Sequence, residues 1–462
     1  MLLCPVGLFS FSGLVLATVA LTAAEPPPPA ARPKQDANGN PIRYAATGHA
    51  SNYDEAKVGH YTLPDPLVLQ NGRPVRDAET WFKVWRPEIL KLYETEIYGR
   101  VPATAPKVAF EVVATDVNAL DGTAVRKHIV GRFGGGASGP KVNVVLYLPA
   151  KATQPVPVLL HLLFGSPPGI APPPPRSPAP DGKALPARRP FNDTGPIADI
   201  LARGYGYAAF RYTEIEGDSA SGNLNGVRKL ALAPGQEKPA DDEWGTVAAW
   251  SWGASRVLDY LEMDRAVDAK RVGLIGHSRL GKTVLCASAR DPRFAVVFSS
   301  CSGEMGAALA RRDFGESVDD MAANFPWQFA GRFQKYAGHW NDMPVDAHML
   351  IALSAPRPVF VTGGTQDLWA DPHGEFLAQV AAGPVYRLLG RKDLGVSTLP
   401  SLDAPLIAGD LGFHYHTGGT PSPRGTGRRF SNSRSARCGR HADRCELSVT
   451  IQSRWSGLTS SR

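Results

Sequence analysis

The residues best placed to do chemistry lie in Arg271-Val-Gly-Leu-Ile-Gly-His-Ser-Arg-Leu-Gly-Lys282. Val272 to Ile275 is a short apolar run of the kind a buried strand uses; it breaks at Gly276, and a helical pattern begins at Gly281. Ser278 therefore falls on a sharp strand-to-helix turn. There a hydroxyl stands clear of the sheet and the next backbone N–H faces a developing oxyanion, which is the arrangement acyl transfer by serine requires. The fifth position of the Gly-x-Ser-x-Gly pattern is Leu280, so the motif alone also fits a plain corner holding a small polar side chain.

A serine nucleophile needs a base to take its proton and a carboxylate to orient that base. In α/β-hydrolases the chain order is serine, acid, histidine. Asp367 follows the late apolar run Pro358-Val-Phe-Val-Thr362 and is the candidate acid, with Glu304 in Cys301-Ser-Gly-Glu-Met305 as the alternative. Arg279, beside the serine, could add a fixed positive charge to the backbone oxyanion donors. Lys282, one helical turn on, suits an anionic or polyhydroxylated substrate, although a lysine there is equally a solvated helix residue.

The elements needed to position these groups are legible. Val142 to Leu148, Val158 to Phe164, Gly206 to Tyr212, Ala295 to Ser299 and Pro358 to Thr362 read as strands. Thr80 to Tyr93 and Trp244 to Leu261 carry apolar residues at helical spacing. Strands alternating with helices predict an α/β-hydrolase fold, a mostly parallel sheet covered by helices on both faces, over residues 61–419. The proline-rich stretch from Pro167 to Pro190 reads as a surface loop.

Composition narrows the function classes. Apolar residues make up 43% of the 462, enough for a large core. The five cysteines form no close-spaced set with histidines, so a metal is not implied. The formal charge of +7 sits in residues 420–462, where nine arginines face Asp443 and Glu446. The rest is near neutral, so no nucleic-acid partner is expected. Leu2 to Ala24 is apolar and ends in small residues, which suits a cleaved secretory signal, with an uncleaved anchor as the competing reading. Residues 25–60 are Pro-, Ala- and polar-rich and read as a disordered leader. A secreted or periplasmic monomer without stable membrane insertion is the expectation.

Taken together, several stretches make the chain resemble the glucuronoyl esterases, carbohydrate esterase family 15, of the bacterial type. They are Glu243-Trp-Gly; Ala249-Trp-Ser-Trp-Gly-Ala-Ser-Arg-Val-Leu-Asp-Tyr-Leu261; the Gly-His-Ser-Arg-Leu-Gly-Lys elbow; Ala308-Leu-Ala-Arg-Arg-Asp-Phe-Gly-Glu316; Lys335-Tyr-Ala-Gly338; His348 to Arg357; and Asp367-Leu-Trp-Ala-Asp-Pro372. The resemblance runs from about Trp81 to Gly419. It implies cofactor-free hydrolysis of esters between lignin alcohols and the 4-O-methyl-glucuronic acid branches of xylan. By position it implies Ser278 as nucleophile, Arg279 as oxyanion arginine, and Lys282, Glu316 and Trp369 as holders of the sugar acid. Fungal members carry a glutamate acid where this chain has Cys301, which leaves Asp367 as the implied acid. Many members have a cysteine where this chain has His277, so their disulfide is not expected. An acetyl-xylan type esterase and a non-catalytic glucuronoxylan-binding protein are the competing functions.

The family's base belongs in a late Gly-Gly-His followed by Asp-Trp, yet Gly418-Gly419 is followed by Thr420 and an Arg/Ser/Gly/Thr-rich tail. Codons chosen for the tail, read with one additional C ahead of Thr420, give His-Ala-Val-Thr-Ala-Gly-Asp-Trp-Ala-Ala-Phe-Leu-Glu-Leu. That is the missing motif and a helix start. Residues 420–462 are therefore read as an out-of-frame, disordered tail. Within the chain as given, His416 is the nearest substitute for the base, with His414 behind it; both are equally readable as strand residues.

Overall fold

The computed structural model describes residues 33–134, 139–171, 196–219 and 225–419. Residues 1–24, read above as a signal segment, most of the stretch from Pro167 to Pro190, and residues 420–462 lie outside them. Residues 33–41 belong to a unit of their own, Met1–Pro41, closed by a Gln35–Pro41 bridge. From Ile42 to Gly419 the described residues form one compact unit.

Among the described residues its centre is a nine-stranded sheet in the order β1-β2-β3-β5-β4-β6-β7-β8-β9. The strands are β1 (Val108–Ala119), β2 (Ala124–Phe133), β3 (Lys141–Pro149), β4 (Val156–Leu163), β5 (Gly206–Arg211), β6 (Val267–His277), β7 (Phe294–Ser300), β8 (Val359–Gly364) and β9 (Leu411–His416). From β5 to β9 every pairing is parallel, and β1 to β3 form an antiparallel edge that joins β5. Parallel strands covered on both faces carry apolar residues continuously rather than in alternation. Val156–Leu163 accordingly is buried at every position.

The helices α1 (Thr246–Met263) and α2 (Arg279–Arg290) pack on each other and on β6, and α3 (Val318–Asn324) and α4 (Pro372–Leu388) follow later in the chain. The large core on this side includes Trp81, Trp244 and Trp250; a smaller cluster around Tyr207, Phe298 and Ile200 covers the other face. This is the α/β-hydrolase architecture. Strand order reverses around β4, whose neighbours are β5 and β6. Open parallel sheets bind ligands at the carboxyl ends of strands near such a reversal, and there the site lies.

One expectation is corrected. Residues 42–60, read as part of a disordered leader, are an ordered arm. Ala45 and Ser51 are buried, and a Tyr44–Ala50 bridge closes a small hairpin. The Gly315 N–H donates to the Asn52 carbonyl at 2.7 Å, and Glu55 pairs with Arg312 at 2.8 Å.

Candidate active site

Ser278 links β6 to α2 with φ 54° and ψ −127°, a backbone state that L residues rarely occupy. The turn is held by the Ser278 N–H, which donates to the Ser300 carbonyl at 2.8 Å, and by the Ser278 carbonyl, which accepts from Gly281 N–H at 2.7 Å. Gly276 is required by close approach, since a Cβ there would lie 2.1 Å from the Leu280 carbonyl oxygen. A Cβ on Gly281 would meet Ser302 Cβ at 2.8 Å and Ser299 Oγ at 2.9 Å. Gly281 thus gives the close helix packing that Leu280, with its side chain in the core, does not.

Arg279 is anchored, not solvated. Its guanidinium binds Asp218 and stacks 5.4 Å from the Phe325 ring centre. Asp218 also accepts from Tyr212 Oη at 2.7 Å, Trp327 Nε1 at 3.0 Å and Gln328 Nε2 at 3.2 Å. Burial pushes the Asp218 carboxyl up, but the Arg279 charge and these donors bring it below the ordinary carboxylate range. Arg279 Nε is buried and has no acceptor among the described residues. This leaves a buried donor next to Ser278.

A second relay begins one turn into α2. Lys282 Nζ donates to Glu316 Oε2 at 2.7 Å, with the lysine side chain 3% exposed and the glutamate 11%. Trp369 Nε1 donates to Glu316 Oε1 at 3.1 Å. The three residues expected to hold the sugar acid are thus joined through one carboxylate.

Of the two candidate acids, Asp367 lies beyond β8 in the next turn, where Cys301 hydrogen-bonds it and the His416 charge acts on it. Burial, then the negative charge of Glu316, raises its carboxyl to about 6. Glu304 is 2% exposed, accepts from its neighbour Met305 N–H at 3.0 Å, and is pushed well up by burial and by Asp346 and Glu316. Glu304 interacts electrostatically with Glu316 and Lys282, and Asp367 with Glu316 and His416.

His416 ends β9 opposite Gly364. His414 lies one pleat back, opposite Thr362, with the two ring centres 5.7 Å apart. The His416 Nδ1 lies 3.3 Å from the Thr417 carbonyl oxygen, and among the described residues no hydrogen bond joins its ring to Ser278. In the sheet, β6 and β9 are separated by β7 and β8. At about 4.8 Å per strand, the two chain positions are roughly 14 Å apart at strand level. His277 turns its ring to Ser300 Oγ at 3.2 Å and is driven down to about 4, chiefly by burial and then by His416.

Sequence reasoning missed Asp218, which organises Arg279. Its available signal was its place just beyond the carboxyl end of β5. It also missed Arg43, whose guanidinium carbon lies 4.1 Å from the Trp369 ring centre. Glu375 in α4 was missed as well: its Oε1 accepts from Ser302 N–H, Ser302 Oγ and Gly303 N–H at 2.6, 2.9 and 3.1 Å, fixing the turn after Cys301. Among the described residues no cluster of metal-ligating side chains occurs.

A strained serine on a strand-to-helix turn at the carboxyl edge of a parallel sheet, with an anchored arginine next to it, defines a serine hydrolase of the α/β class. The model of the family described as glucuronyl esterase, fungi, matches residues 239–390. A carbohydrate esterase from an unknown prokaryotic organism is 40% identical over 389 residues, 79% of this chain and 87% of its own length. A glucuronoyl esterase from Solibacter usitatus is 40% identical, with a TM-score of 0.75 and coverage of 87% of this chain and 100% of its own. A glucuronoyl esterase from Teredinibacter turnerae is 36% identical, with a TM-score of 0.70 and coverage of 83% and 92%. The chain belongs to the glucuronoyl esterases of carbohydrate esterase family 15.

Proposed function

We propose that this chain hydrolyses esters in which the acid is a glucuronic or 4-O-methyl-glucuronic acid branch of xylan and the alcohol comes from lignin. The observation that carries the reading is the joining of two chemistries on one helix. The nucleophile elbow and the Lys282–Glu316–Trp369 relay are a single turn of α2 apart, so a reacting carbonyl at Ser278 places its sugar ring against the relay.

In the reaction, Ser278 Oγ attacks the ester carbonyl and a base accepts its proton. The backbone N–H of Arg279 and the guanidinium donors stabilise the tetrahedral oxyanion. The C–O bond to the alcohol breaks, the base returns the proton to the alkoxide, and water releases the glucuronate by the reverse roles. Lys282 and Glu316 bind oxygens of the uronate ring, and Trp369 offers it a flat face. Asp367 orients the base. Because no hydrogen bond among the described residues joins His416 to Ser278, we take the base to be the histidine of a Gly-Gly-His lost by a change of frame at Thr420, and not His416. We further propose export through Leu2–Ala24 and action as a monomer.

Turnover of benzyl glucuronate and of acetylated xylan tests the reading, in the chain as given and in its frame-restored form. Ser278-dependent hydrolysis of the uronate ester alone is expected, chiefly in the restored form. Preference for the acetyl ester would refute the substrate. The second reading, a glucuronoxylan-binding protein without catalysis, is favoured by the absence, among the described residues, of a hydrogen bond between Ser278 and a histidine. Inactivity of the restored form together with retained saccharide binding would establish it.

A further inference from the structure

The ordered arm brings a cation to the site that neither the nucleophile nor its relay uses. Arg43 sits at the neck of the hairpin, pinned on both backbone sides: its N–H donates to Ser51 Oγ at 2.9 Å and its carbonyl accepts from Ser51 N–H at 2.9 Å. The hairpin is fixed to the segment on either side of Glu316, at Asp313 before it and at Asp319 in α3 after it. Thr47 Oγ1 donates to Asp319 Oδ1 at 2.5 Å, and His49 Nε2 lies 2.9 Å from Asp313. His49 is also edge-on to Trp340, with ring centres 5.4 Å apart. Arg43 is therefore presented at a set position and is not a wandering surface side chain.

The guanidinium at that position is stacked on Trp369, exposed, and free of any carboxylate partner among the described residues. The nearby carboxylates are engaged elsewhere: Glu316 by Lys282 and Trp369, Asp313 by His49, Asp319 by Thr47 and the Gly338 N–H. The other two cations of the site are neutralised, Arg279 by Asp218 and Lys282 by Glu316. Arg43 Cζ lies over the Trp369 ring, and the guanidinium's N–H donors form a fork that matches a carboxylate. Arg43 also stands at the far end of the relay from Ser278. It is placed for a part of the substrate beyond the reacting sugar.

We propose that Arg43 and Trp369 form an outer subsite for an acidic saccharide, in which Arg43 binds the free carboxylate of a second uronic acid on the polysaccharide that carries the reacting ester. The proposal rests on the reading of Trp369 as the platform for the reacting uronate. The reacting ester is neutral, so an unpaired cation gives it little. An unesterified neighbouring branch is an anion and pairs with it directly. The subsite selects chains that bear several uronates over an isolated one.

Binding decides this without needing turnover. The probes are xylo-oligosaccharides carrying two, one or no glucuronic acids, and the two-uronate probe with one carboxyl reduced to the alcohol. Each is titrated into the full chain bearing Ser278→Ala, with and without Arg43→Ala, Arg43→Lys or Trp369→Ala. A charge-assisted contact at a half-open site predicts about tenfold tighter binding of the two-uronate probe than of its reduced form. Arg43→Ala abolishes that ratio, Arg43→Lys keeps part of it, and added salt weakens it. An unchanged ratio in Arg43→Ala, or no preference in the parent, overturns the proposal. So does an equal loss for one- and two-uronate probes, because Arg43 would then only steady the indole. Trp369→Ala separates the two layers: if it leaves one-uronate binding intact, the reading of Trp369 fails while the charge preference still reports on Arg43.

Discussion

Lys282 and Glu316 form the pair on which the sugar-acid relay depends, and its burial gives a quantitative prediction. The ammonium and carboxylate meet at 2.7 Å with 3% and 11% of their side chains exposed. Replacing Lys282 by methionine preserves the stem and removes the charge, leaving the Glu316 carboxylate facing an apolar methyl. Removing one partner of a buried pair costs about 3–5 kcal/mol, whereas replacing both by neutral groups is often close to neutral. The Trp369 N–H still serves Glu316 Oε1, so the lower end, about 3 kcal/mol, is expected for Lys282→Met. Glu316→Gln strands the ammonium and costs a similar amount, while the double variant loses about 1 kcal/mol. Equilibrium urea unfolding at neutral pH measures each corner of the cycle, and the double variant should be more stable than the sum of the single losses predicts by at least ~2 kcal/mol. Single losses that add within ~0.5 kcal/mol would refute the buried-pair reasoning, because independent sites behave that way.

Other expectations follow from the same geometry. Ser278→Gly relieves a side chain at φ 54° and should raise stability by about 1 kcal/mol while ending turnover, read by urea unfolding and benzyl glucuronate hydrolysis. Asp367 has its carboxyl raised to about 6, so the folded form resists its ionisation. The stability it contributes in its neutral form is complete below its ordinary value of 3.8 and is lost as pH rises through about 6. Asp367→Asn should therefore be more stable than the parent above pH ~6 and equal to it below pH ~4. In the active form, where the carboxylate is the working state, turnover should fall below pH ~6 in the parent. Asp218→Asn removes the charge that anchors Arg279 and should lower kcat by about 10²-fold with KM little changed, as expected for lost oxyanion positioning.

The buried framework was legible because its signal is local. β4 to β8 are short apolar runs bounded by turns, and α1 carries its apolar residues at helical spacing. The elbow was legible because Gly276, Ser278 and Gly281 stand close together in sequence, and Gly276 satisfies a local close approach to the Leu280 carbonyl. The β1–β2 hairpin was not read, since most of β1 is exposed and carries no apolar alternation. The arm from Ile42 looked disordered because polar contacts with partners 272 and 257 positions away hold it, Thr47 with Asp319 and Glu55 with Arg312. Composition cannot show such pairings. Asp218 was hidden for the same reason: it meets Arg279 only after β5 and β6 come to lie on either side of β4.

The central claim is that Ser278 attacks the carbonyl of a glucuronate ester. Rapid quenching of the frame-restored chain with benzyl glucuronate, followed by peptide mass mapping, tests it most directly. One glucuronoyl group should appear on the peptide containing Ser278, with one benzyl alcohol released per group, and neither should appear with Ser278→Ala. Turnover that survives Ser278→Ala, or an acyl group on a different residue, would contradict the account.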